Sequence, residues 1–382
     1  DGIIVIGAFR LDEQWPASSS GKRMPFAVPV LIGEVYDRMM ADRLRRSGAQ
    51  VEIFSLRPGN YLSCLADNLF SDLPKTLQKR RPDVLLQDEL CHPSLLHLNR
   101  QLKRTLGCPV ISIVHHLRAL EPHAERLMRL YRRMERRYLE TADGFIFNSE
   151  TTRAAVESLL GGKRPSVVAY PGGDHVRPAP TDAAIRERRS REPRALKILF
   201  IGNVIPRKGL HTLIAALGGL RRGNWRLTVA GSLTADIAYA ARVRGLIAAA
   251  GIEDRVELIG SIDDARRENL LETSHCLAVP SLYEGFGIVY LEAMAYGLPV
   301  LASTAGAVPE VIADGIEGFL VAPGDETALA ARIDRFIHDR DRLAVMGAAA
   351  RKRYAEHPSW AAGAARIHDF LREMVARKGR EA

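Results

Sequence analysis

Two carboxylates and the glycines beside them form the most informative pattern in this sequence. Glu284 and Glu292 have seven residues between them, and Gly285 and Gly287 follow closely after the first carboxylate. The segment from Ile288 to Tyr296 predicts a helix, whose N-terminal N–H groups would favour a phosphate. This layout suits an anionic ligand with hydroxyl groups at both ends. The alternative is a plain helix start, because acidic side chains stabilise the first turns of helices.

A second candidate site for anionic groups lies between residues 200 and 210. The apolar run that begins at Leu196 predicts a strand ending near Gly202, and a helix is predicted after Gly209. The loop between them carries Arg207 and Lys208, and basic side chains beside a helix N-terminus suit a diphosphate. The alternative is two exposed cations before a helix, an arrangement that the helix dipole opposes.

Histidines follow another predicted strand. His115 and His116 come directly after Val110–Val114, and His123 stands a little further along. These three side chains could ligate a metal, but no Cys or carboxylate partner stands at ligand spacing, which favours an active-site or a structural histidine. The tripeptide that begins at Asp339 has a D-x-D pattern, but it is far in sequence from the other motifs and we interpret it as chance. We therefore predict no metal site.

The most basic segment, Arg126–Arg137, has the pattern of an amphipathic helix. Leu127, Leu130, Met134 and Tyr138 fall near one face of that helix. The common interpretation is a solvated basic face over a stripe of core residues. The alternative is contact with a membrane surface or with an anionic acceptor molecule.

Composition indicates a globular protein with more than one domain. Of 382 residues, 47% are hydrophobic and 26% are charged, as in ordinary folded proteins. No apolar run approaches the roughly 18 residues of a membrane span, and the first residues predict a buried strand instead of a signal segment. Four cysteines without C-x-x-C spacing indicate reduced thiols in a cytoplasmic protein.

The net positive charge is concentrated in the first half of the chain. Residues 1–191 hold 30 Lys+Arg against 22 Asp+Glu, whereas residues 192–382 hold 24 against 23. We therefore expect the first half to bind an anionic molecule or to lie at an anionic surface.

Apolar runs alternate with helical patterns, which predicts parallel α/β units. The polar segment after Pro171, rich in Pro and Gly and followed by a charged stretch, predicts a boundary between two domains, 1–178 and 179–358. The last segment, 359–376, predicts a helix that crosses back to the first domain, and we assign no element to residues 10–29. The predicted strands are Ile3–Phe9, Val51–Leu56, Val84–Gln87, Val110–Val114, Gly144–Asn148, Val167–Tyr170, Leu196–Gly202, Arg226–Ala230, Val256–Ile259, Cys276–Val279, Val300–Ala302 and Gly318–Val321.

Residues 196–325 resemble the donor domain of retaining glycosyltransferases of family 4, and the N-terminal half resembles the acceptor domain more weakly. Trp360 fits the aromatic residue that opens the last helix of this family. The resemblance implies the GT-B fold, with two Rossmann-like α/β domains facing each other across a cleft. It rests on an ordered set of segments: Gly202-Asn-x3-Arg-Lys-Gly, Val229-Ala-Gly-Ser, Val256-x-Leu-Ile-Gly, the Glu284 segment, Ala295-x-Gly-Leu-Pro-Val, Gly306-x2-Pro-Glu and Gly318-x-Leu-Val-x-Pro-Gly-Asp.

The resemblance implies roles for the charged residues of the two motifs. Glu292 would hydrogen-bond the ribose hydroxyls of a nucleotide-sugar. Glu284, with the segment Gly285–Phe286–Gly287, would contact the transferred sugar and the phosphate. Lys208, helped by Arg207, would neutralise the leaving diphosphate.

Other positions follow from the same resemblance. Backbone around Gly260 and Ile262 would hold the base, and Gly231 would line the same cleft. His115 would face the sugar from the acceptor side, whereas His116 stands where the family commonly has an aspartate. Asn203 is a departure, since the family often has an arginine there; either Arg207 supplies the missing charge or phosphate binding is weaker.

The function implied is retaining, metal-independent transfer of a sugar from a UDP- or GDP-sugar to an acceptor hydroxyl, with Glu284, Lys208 and His115 as catalytic residues. The acceptor would be a glycan, a lipid-linked molecule or a small molecule, and no cofactor would be permanently bound. The alternatives are a GT-B-fold UDP-sugar epimerase and a non-catalytic sugar-nucleotide-binding protein. An NAD oxidoreductase is excluded because no glycine fingerprint follows the first strand. We expect a cytoplasmic protein with peripheral contact at the inner membrane face and no nucleic-acid partner.

Overall fold

The structure, a computed structural model, describes residues 2–7, 34–56, 61, 64–65, 73–121, 124–176, 195–220 and 223–381. Contacts divide the chain into two compact units. The first comprises Asp1–Pro171 and Trp360–Ala382, and the second comprises Gly172–Ser359. Residues 10–29, His123 and the predicted domain boundary between residues 178 and 179 lie outside the described residues.

The first unit contains a six-stranded parallel sheet with the order β2-β1-β3-β4-β5-β6. β3 and β4 are buried along their whole length, as expected for parallel strands covered on both faces. The strands are β1 (Gly2–Gly7), β2 (Gln50–Ser55), β3 (Val84–Asp88), β4 (Val110–Val114), β5 (Gly144–Phe147) and β6 (Ser166–Val168). The helices described before the second unit are Glu34–Arg46, Leu73–Arg80, His92–Leu95, Leu98–Leu106, Glu125–Leu139 and Glu150–Leu160.

The last helix of the chain, Trp360–Glu381, packs on the first unit although it follows the second unit in sequence. Trp360 is fully buried and meets the ring of Tyr36 edge-on at 5.8 Å. The ring of Phe370 lies so close to Gly144 that a Cβ there would be 3.0 Å from it. The predicted return of the C-terminal helix is confirmed, and the helix is longer than predicted.

The second unit contains a six-stranded parallel sheet with the order β12-β11-β10-β7-β8-β9. Counted within the unit from β9, this order is 3-2-1-4-5-6, which is the Rossmann order. The strands are β7 (Leu196–Ile201), β8 (Trp225–Ala230), β9 (Val256–Gly260), β10 (Cys276–Val279), β11 (Val300–Ser303) and β12 (Gly318–Val321). The helices described are Leu210–Gly218, Ile237–Ala250, Asp264–Thr273, Ile288–Ala295, Val308–Val311, Glu326–His338 and Arg340–Glu356.

Aspartates begin several helices of the second unit. Asp236, Asp263, Asp325 and Asp339 each accept a hydrogen bond, at 2.8 or 2.9 Å, from the backbone N–H three residues further on. This is the ordinary N-cap, which satisfies one of the N–H groups that a helix start leaves open. The D-x-D pattern at Asp339 is therefore part of a helix start.

The predicted strands are confirmed within the described residues, with ends shifted by a residue or two. The predicted core stripe of the basic helix is confirmed at Tyr138, which is buried, and at Met134, which packs against the core, but it is wrong at Leu127 and Leu130. Leu127 and Leu130 are 44% and 47% exposed, whereas Tyr131, Glu135 and Tyr138 are buried. The buried residues follow the spacing i, i+4, i+7, and Leu130 lies roughly 100° around the helix from Tyr131. No helix in the described part of the chain is long and apolar enough to cross a membrane.

Candidate active site

The loops after β7 and β10 lie where the strand order of the second sheet reverses. β7 pairs with β8 on one side and with β10 on the other, and ligands of such sheets bind beyond the carboxyl ends of the strands at this switch point. The loop after β7 carries Arg207 and Lys208, and the loop after β10 carries Glu284. The fold thus joins two predicted motifs that are 76 positions apart.

Lys208 and Glu284 form an ion pair at this point. Lys208 Nζ donates to Glu284 Oε2 at 2.7 Å, and Ser281 Oγ donates to the same oxygen at 3.1 Å. Arg207 Nη1 lies 3.7 Å from Glu284 Oε1 and donates to the Tyr283 carbonyl at 3.0 Å. The three charged side chains are 3% to 12% exposed. Two cations against one carboxylate leave an excess positive charge, which suits an anionic ligand.

Burial and neighbouring charges act in opposite directions on Glu284. Burial alone would raise the pKa of its carboxyl, but the charges of Lys208 and Arg207, with hydrogen bonds from Lys208 and Ser281, hold that pKa below its ordinary value. Burial lowers the pKa of the Lys208 ammonium, and Glu284 offsets part of this effect. Glu284 is therefore ionised at neutral pH and can accept hydrogen bonds from hydroxyl groups, but it cannot serve as a general acid.

Two glycines allow the backbone to approach this pair closely. At Gly306, where φ is +62°, a Cβ would lie 1.9 Å from the carbonyl oxygen of Glu284, and the Ala307 N–H donates to that oxygen at 3.0 Å. At Gly209, where φ is +69°, a Cβ would lie 2.0 Å from the carbonyl oxygen of Pro280. Only glycine fits either position, because both the φ angle and the space exclude a side chain.

Backbone groups at the ends of β7, β8 and β9 also meet. A Cβ on Gly231 would lie 1.9 Å from the Gly202 carbonyl oxygen, and the Gly231 N–H donates to the Gly260 carbonyl at 2.8 Å. Asn203 Oδ1 accepts the Ser232 N–H at 3.4 Å. Asn203 thus holds the loop after β8 through the Ser232 N–H. It is a neutral residue at the position where the resemblance led us to expect an arginine.

The segment Gly285–Phe286–Gly287 leads into the helix Ile288–Ala295. All three residues are buried, and Phe286 packs against the ring of His357 at 5.8 Å. Gly287 is the N-cap residue, with φ at +90°, and it has no side chain to bond the first N–H groups of the helix. The start of this helix therefore keeps N–H groups for an anion.

Glu292 has partners other than those of Glu284. His175 Nε2 donates to Glu292 Oε1 at 2.8 Å, and Arg267 Nη1 lies 3.6 Å from the same oxygen. Arg267 also forms an ion pair with Asp264 at 3.2 Å. Arg267 stands shortly after Ile262, the partly exposed end of the predicted base-binding segment.

In the first unit, His115 lies among carboxylates. His115 Nε2 donates to Asp37 Oδ1 at 3.1 Å, and the ligand atoms of His115, Asp37 and Asp88 lie within 4.8 Å of one another. Burial lowers the pKa of His115, but Asp37, Asp88 and Glu89 outweigh it and raise that pKa to about 9. Burial raises the pKa of Asp88 to about 7. The inference that His115 lacks carboxylate partners was wrong, because these partners come from distant positions in the sequence.

His116 and a second trio occupy the same unit. His116 is buried and donates to Glu121 Oε1 at 2.8 Å. Glu89, His92 and Glu135 are buried and also have ligand atoms within 4.8 Å of one another. Burial raises the pKa of Glu89 and of Glu135 to about 8. Both trios combine an imidazole nitrogen with carboxyl oxygens, which are donor atoms that a divalent cation takes.

The raised pKa of His115 predicts a pH-dependent stability. The pKa of His115 rises from about 6.5 in the unfolded chain to about 9 in the folded protein. The contribution of His115 to the free energy of unfolding is therefore complete below the lower pKa and is lost as pH rises through the upper one. We expect the free energy of unfolding of the wild type to fall relative to that of His115→Gln between about pH 6 and 10. Urea denaturation at several pH values measures this, with His338→Gln as an exposed control. Parallel profiles for wild type and His115→Gln would contradict it.

Several partners of the predicted residues were not predicted. Ser281 and Tyr283 stand beside Glu284 in the sequence, so the hydroxyl of Ser281 was open to prediction as a short-range hydrogen-bond donor. His175 reaches Glu292 over 117 positions, and Arg267 reaches it from another helix. Neither has a local sequence signal.

Two family models match the chain. The model described as Glycosyltransferase Family 4 matches residues 33–177, and the model described as Glycosyl transferases group 1 matches residues 182–353. The chain is 30% identical over 307 residues to an MMP alpha-(1->4)-mannosyltransferase of Mycolicibacterium hassiacum, covering 77% of this chain and 71% of that protein. It is 31% identical over 251 residues to a GDP-mannose-dependent alpha-(1-6)-phosphatidylinositol monomannoside mannosyltransferase of Mycobacterium tuberculosis, covering 62% and 63% of the two chains.

Solved structures share the fold over almost the whole chain. Sucrose-phosphate synthase from Thermosynechococcus elongatus superposes with a TM-score of 0.78 at 22% identity, covering 98% of this chain and 99% of that one. HepE of Anabaena, solved in complex with UDP and glucose, superposes with a TM-score of 0.71 at 21% identity, covering 97% and 99%. These matches agree with the predicted fold and with the two parallel sheets, and they show that the chain belongs to the family-4 glycosyltransferases of GT-B fold.

Proposed function

We propose that this glycosyltransferase moves a hexose from a GDP- or UDP-sugar to an acceptor hydroxyl with retention of anomeric configuration. The Lys208–Glu284 ion pair at the switch point of the second sheet carries the proposal. It offers a buried cation to a diphosphate and an ionised carboxylate to sugar hydroxyls. Two similar proteins support these donor classes, since one is named GDP-mannose-dependent and the other was solved with UDP and glucose.

We assign the donor to the second unit and the acceptor to the first. In this assignment Glu292 binds the ribose, backbone near Gly260 holds the base, and N–H groups at Gly287 with Lys208 hold the diphosphate. Glu284 orients the transferred sugar. Arg207 is turned towards Glu284 and Tyr283, so it holds the Glu284 loop and adds positive charge.

The reaction needs no protein nucleophile. The bond from the anomeric carbon to the diphosphate oxygen breaks, and the acceptor oxygen bonds to that carbon on the same face. The acceptor's proton passes to the departing phosphate oxygen, and the nucleoside diphosphate leaves. Fixed positive charge at Lys208 and the helix start stabilises the negative charge that develops on the leaving group. We place His115, as a charged imidazolium, in the acceptor-binding site of the first unit.

We propose an acceptor that carries ring hydroxyls, such as an inositol-containing or other lipid-linked molecule, or a glycan. The support comes from similar proteins, whose names include phosphatidylinositol monomannoside and D-inositol 3-phosphate. The carboxyl groups of Asp37, Asp88 and Glu89 around His115 support hydroxyl recognition, because a carboxyl group accepts hydrogen bonds from hydroxyl groups in either protonation state.

Donor binding and product analysis test this function. In a thermal-shift screen of UDP- and GDP-sugars, one donor should raise the melting temperature, by the equivalent of about 2.7 kcal/mol at a hundredfold excess over Kd. With that donor and an inositol-containing acceptor, NMR should show a product with the donor's anomeric configuration. Turnover should be the same in EDTA and in Mg²⁺ or Mn²⁺. No shift with any nucleotide-sugar, or an inverted product, would contradict the proposal, and loss of turnover in EDTA would refute metal independence.

The same experiment separates the alternatives. A UDP-sugar epimerase would convert the donor in the absence of acceptor, and a non-catalytic binding protein would bind the donor without turnover. Lys208, Glu284 and Glu292 are all present and all buried or partly buried, which favours a catalytic protein.

We also propose a peripheral contact between the first unit and an anionic membrane surface through the helix Glu125–Leu139. Leu127 and Leu130 are exposed on this helix. Exposed leucines among cations suit the boundary between lipid headgroups and acyl chains. Four arginines of this helix form no ion pair with any other described residue, so their charges are available to anionic headgroups. They are Arg126, Arg132, Arg133 and Arg137.

Vesicle sedimentation tests this contact. Wild type should bind vesicles of phosphatidylcholine with phosphatidylglycerol and should not bind phosphatidylcholine alone. The double variant Leu127→Ser/Leu130→Ser should bind about tenfold more weakly, because burial of each leucine is lost. Ile237→Ser is the matched control, since Ile237 is 71% exposed in the second unit. Equal binding of the double variant and the wild type would contradict the contact.

A further inference from the structure

Glu292 presents its two carboxylate oxygens differently. Oε1 accepts the hydrogen bond from His175 at 2.8 Å and lies 3.6 Å from Arg267 Nη1. Oε2 has no hydrogen bond or ion pair within the described part of the chain, and the Glu292 side chain is 8% exposed. One oxygen is therefore held by the protein, and the other is left for a ligand.

The two partners of Oε1 come from separate elements. His175 lies at the start of the second unit, before the segment 177–194, and its side chain is 14% exposed. Arg267 lies on the helix Asp264–Thr273, which follows β9 directly, and its side chain is 25% exposed. Their convergence fixes the Glu292 side chain from two sides, and a carboxylate held in one rotamer loses less entropy when it binds a ligand.

We propose that His175 and Arg267 are positioning residues that hold Glu292 so that Oε2 faces a vicinal diol, the 2′,3′-hydroxyls of the donor ribose. The proposal rests on the proposed function, because it needs a ribonucleotide donor in the second unit. It makes selection of a ribonucleotide over a 2′-deoxyribonucleotide depend on two residues that need not touch the ligand themselves.

The arrangement has a specific energetic consequence. A hydrogen bond from a ribose hydroxyl to a fixed carboxylate is charge-assisted, and its loss weakens binding by about tenfold or more. When Glu292 is free to rotate, it has to be ordered on binding, so the ribose hydroxyl contributes less. Removal of His175 or Arg267 should therefore weaken the ribonucleotide and leave the deoxyribonucleotide almost unchanged.

Isothermal titration calorimetry with GDP and 2′-deoxy-GDP, and with UDP and 2′-deoxy-UDP, tests the proposal on the full chain. For wild type we expect the preferred ribonucleotide to bind at least about tenfold more tightly than its 2′-deoxy form. In His175→Ala and in Arg267→Ala that ratio should fall to less than about threefold, through loss of ribonucleotide affinity. Arg267→Lys and His175→Gln should restore part of it.

Arg266→Ala is the matched control, because Arg266 is exposed and is the sequence neighbour of Arg267. Retained binding of the 2′-deoxynucleotide shows that each variant is folded. An undiminished ratio in both variants would overturn the proposal, as would tighter ribonucleotide binding in His175→Ala, which would make His175 a competitor of the ribose. If wild type binds neither nucleotide, the proposed function itself fails, and the two failures are thus distinguishable.

Discussion

Replacement of Lys208 by alanine is expected to lower kcat for sugar transfer by about 10²–10³-fold, the size of effect seen when one fixed charge is removed from a developing anion. The same change should lower the free energy of unfolding by about 3–5 kcal/mol. The reason is that Glu284 is 3% exposed and would lose the cation at 2.7 Å, which leaves a buried carboxylate without its main partner. Steady-state kinetics and urea denaturation measure the two effects.

A second substitution separates the catalytic effect from the structural one. In Lys208→Ala/Glu284→Gln the buried carboxylate is replaced by a neutral amide, so part of the lost stability should return, while transfer should stay as low as in Lys208→Ala. Recovery should be incomplete, because Arg207 stays buried and loses the carboxylate at 3.7 Å, although it keeps its bond to the Tyr283 carbonyl. Lys197→Ala is the control, because Lys197 is an exposed lysine on β7. Transfer near the wild-type rate in both Lys208→Ala and Glu284→Gln would refute the assigned roles.

Replacement of Gly306 by alanine is expected to destabilise the protein by about 3–5 kcal/mol, as backbone strain and overpacking add. A Cβ at Gly306 would lie 1.9 Å from the carbonyl oxygen of Glu284, which is backbone and cannot rotate away. The Glu284 loop would have to shift, and a displacement of about 1 Å at a reacting site lowers transfer by about 10²-fold.

Gly251→Ala provides a close comparison for this prediction. Gly251 has φ at +63°, against +62° for Gly306, but a Cβ there would meet nothing within 4 Å. Gly251→Ala should lower the free energy of unfolding by only about 1–2 kcal/mol, the strain of the left-handed conformation, and should leave transfer unchanged. Equal losses of stability in the two variants would show that the approach to Glu284 is unimportant. Thermal unfolding and transfer assays on both proteins decide this.

Much of the fold was predictable because it depends on neighbours in sequence. The strands Val110–Val114, Cys276–Val279 and Gly318–Val321 have the predicted bounds, since a short apolar run between polar segments is a local signal. The helix that begins at Ile288 and carries Glu292 was predicted for the same reason. The basic helix Glu125–Leu139 shows the limit of such local signals. A stripe through Leu127 and Leu130 fits the helical period almost as well as the buried stripe through Tyr131 and Glu135.

The family and the main residues of the candidate site came from the sequence by itself. The segment from Glu284 to Glu292 and the pair Arg207–Lys208 are short patterns in which a strand end, glycines and charges occur together. Their local order is enough to indicate a phosphate-binding loop and, with the other segments, a donor domain. The roles of these residues in catalysis stay predictions.

Only the tertiary structure decided which of these groups meet. The strand order 3-2-1-4-5-6 places β10 beside β7 and so joins Lys208 to Glu284. It was also the fold that joined His175 to Glu292 and Asp37 to His115, over 117 and 78 positions. Sequence periodicity reports on residues within a few turns or strand steps, whereas contacts at such separations depend on the order in which the strands pack.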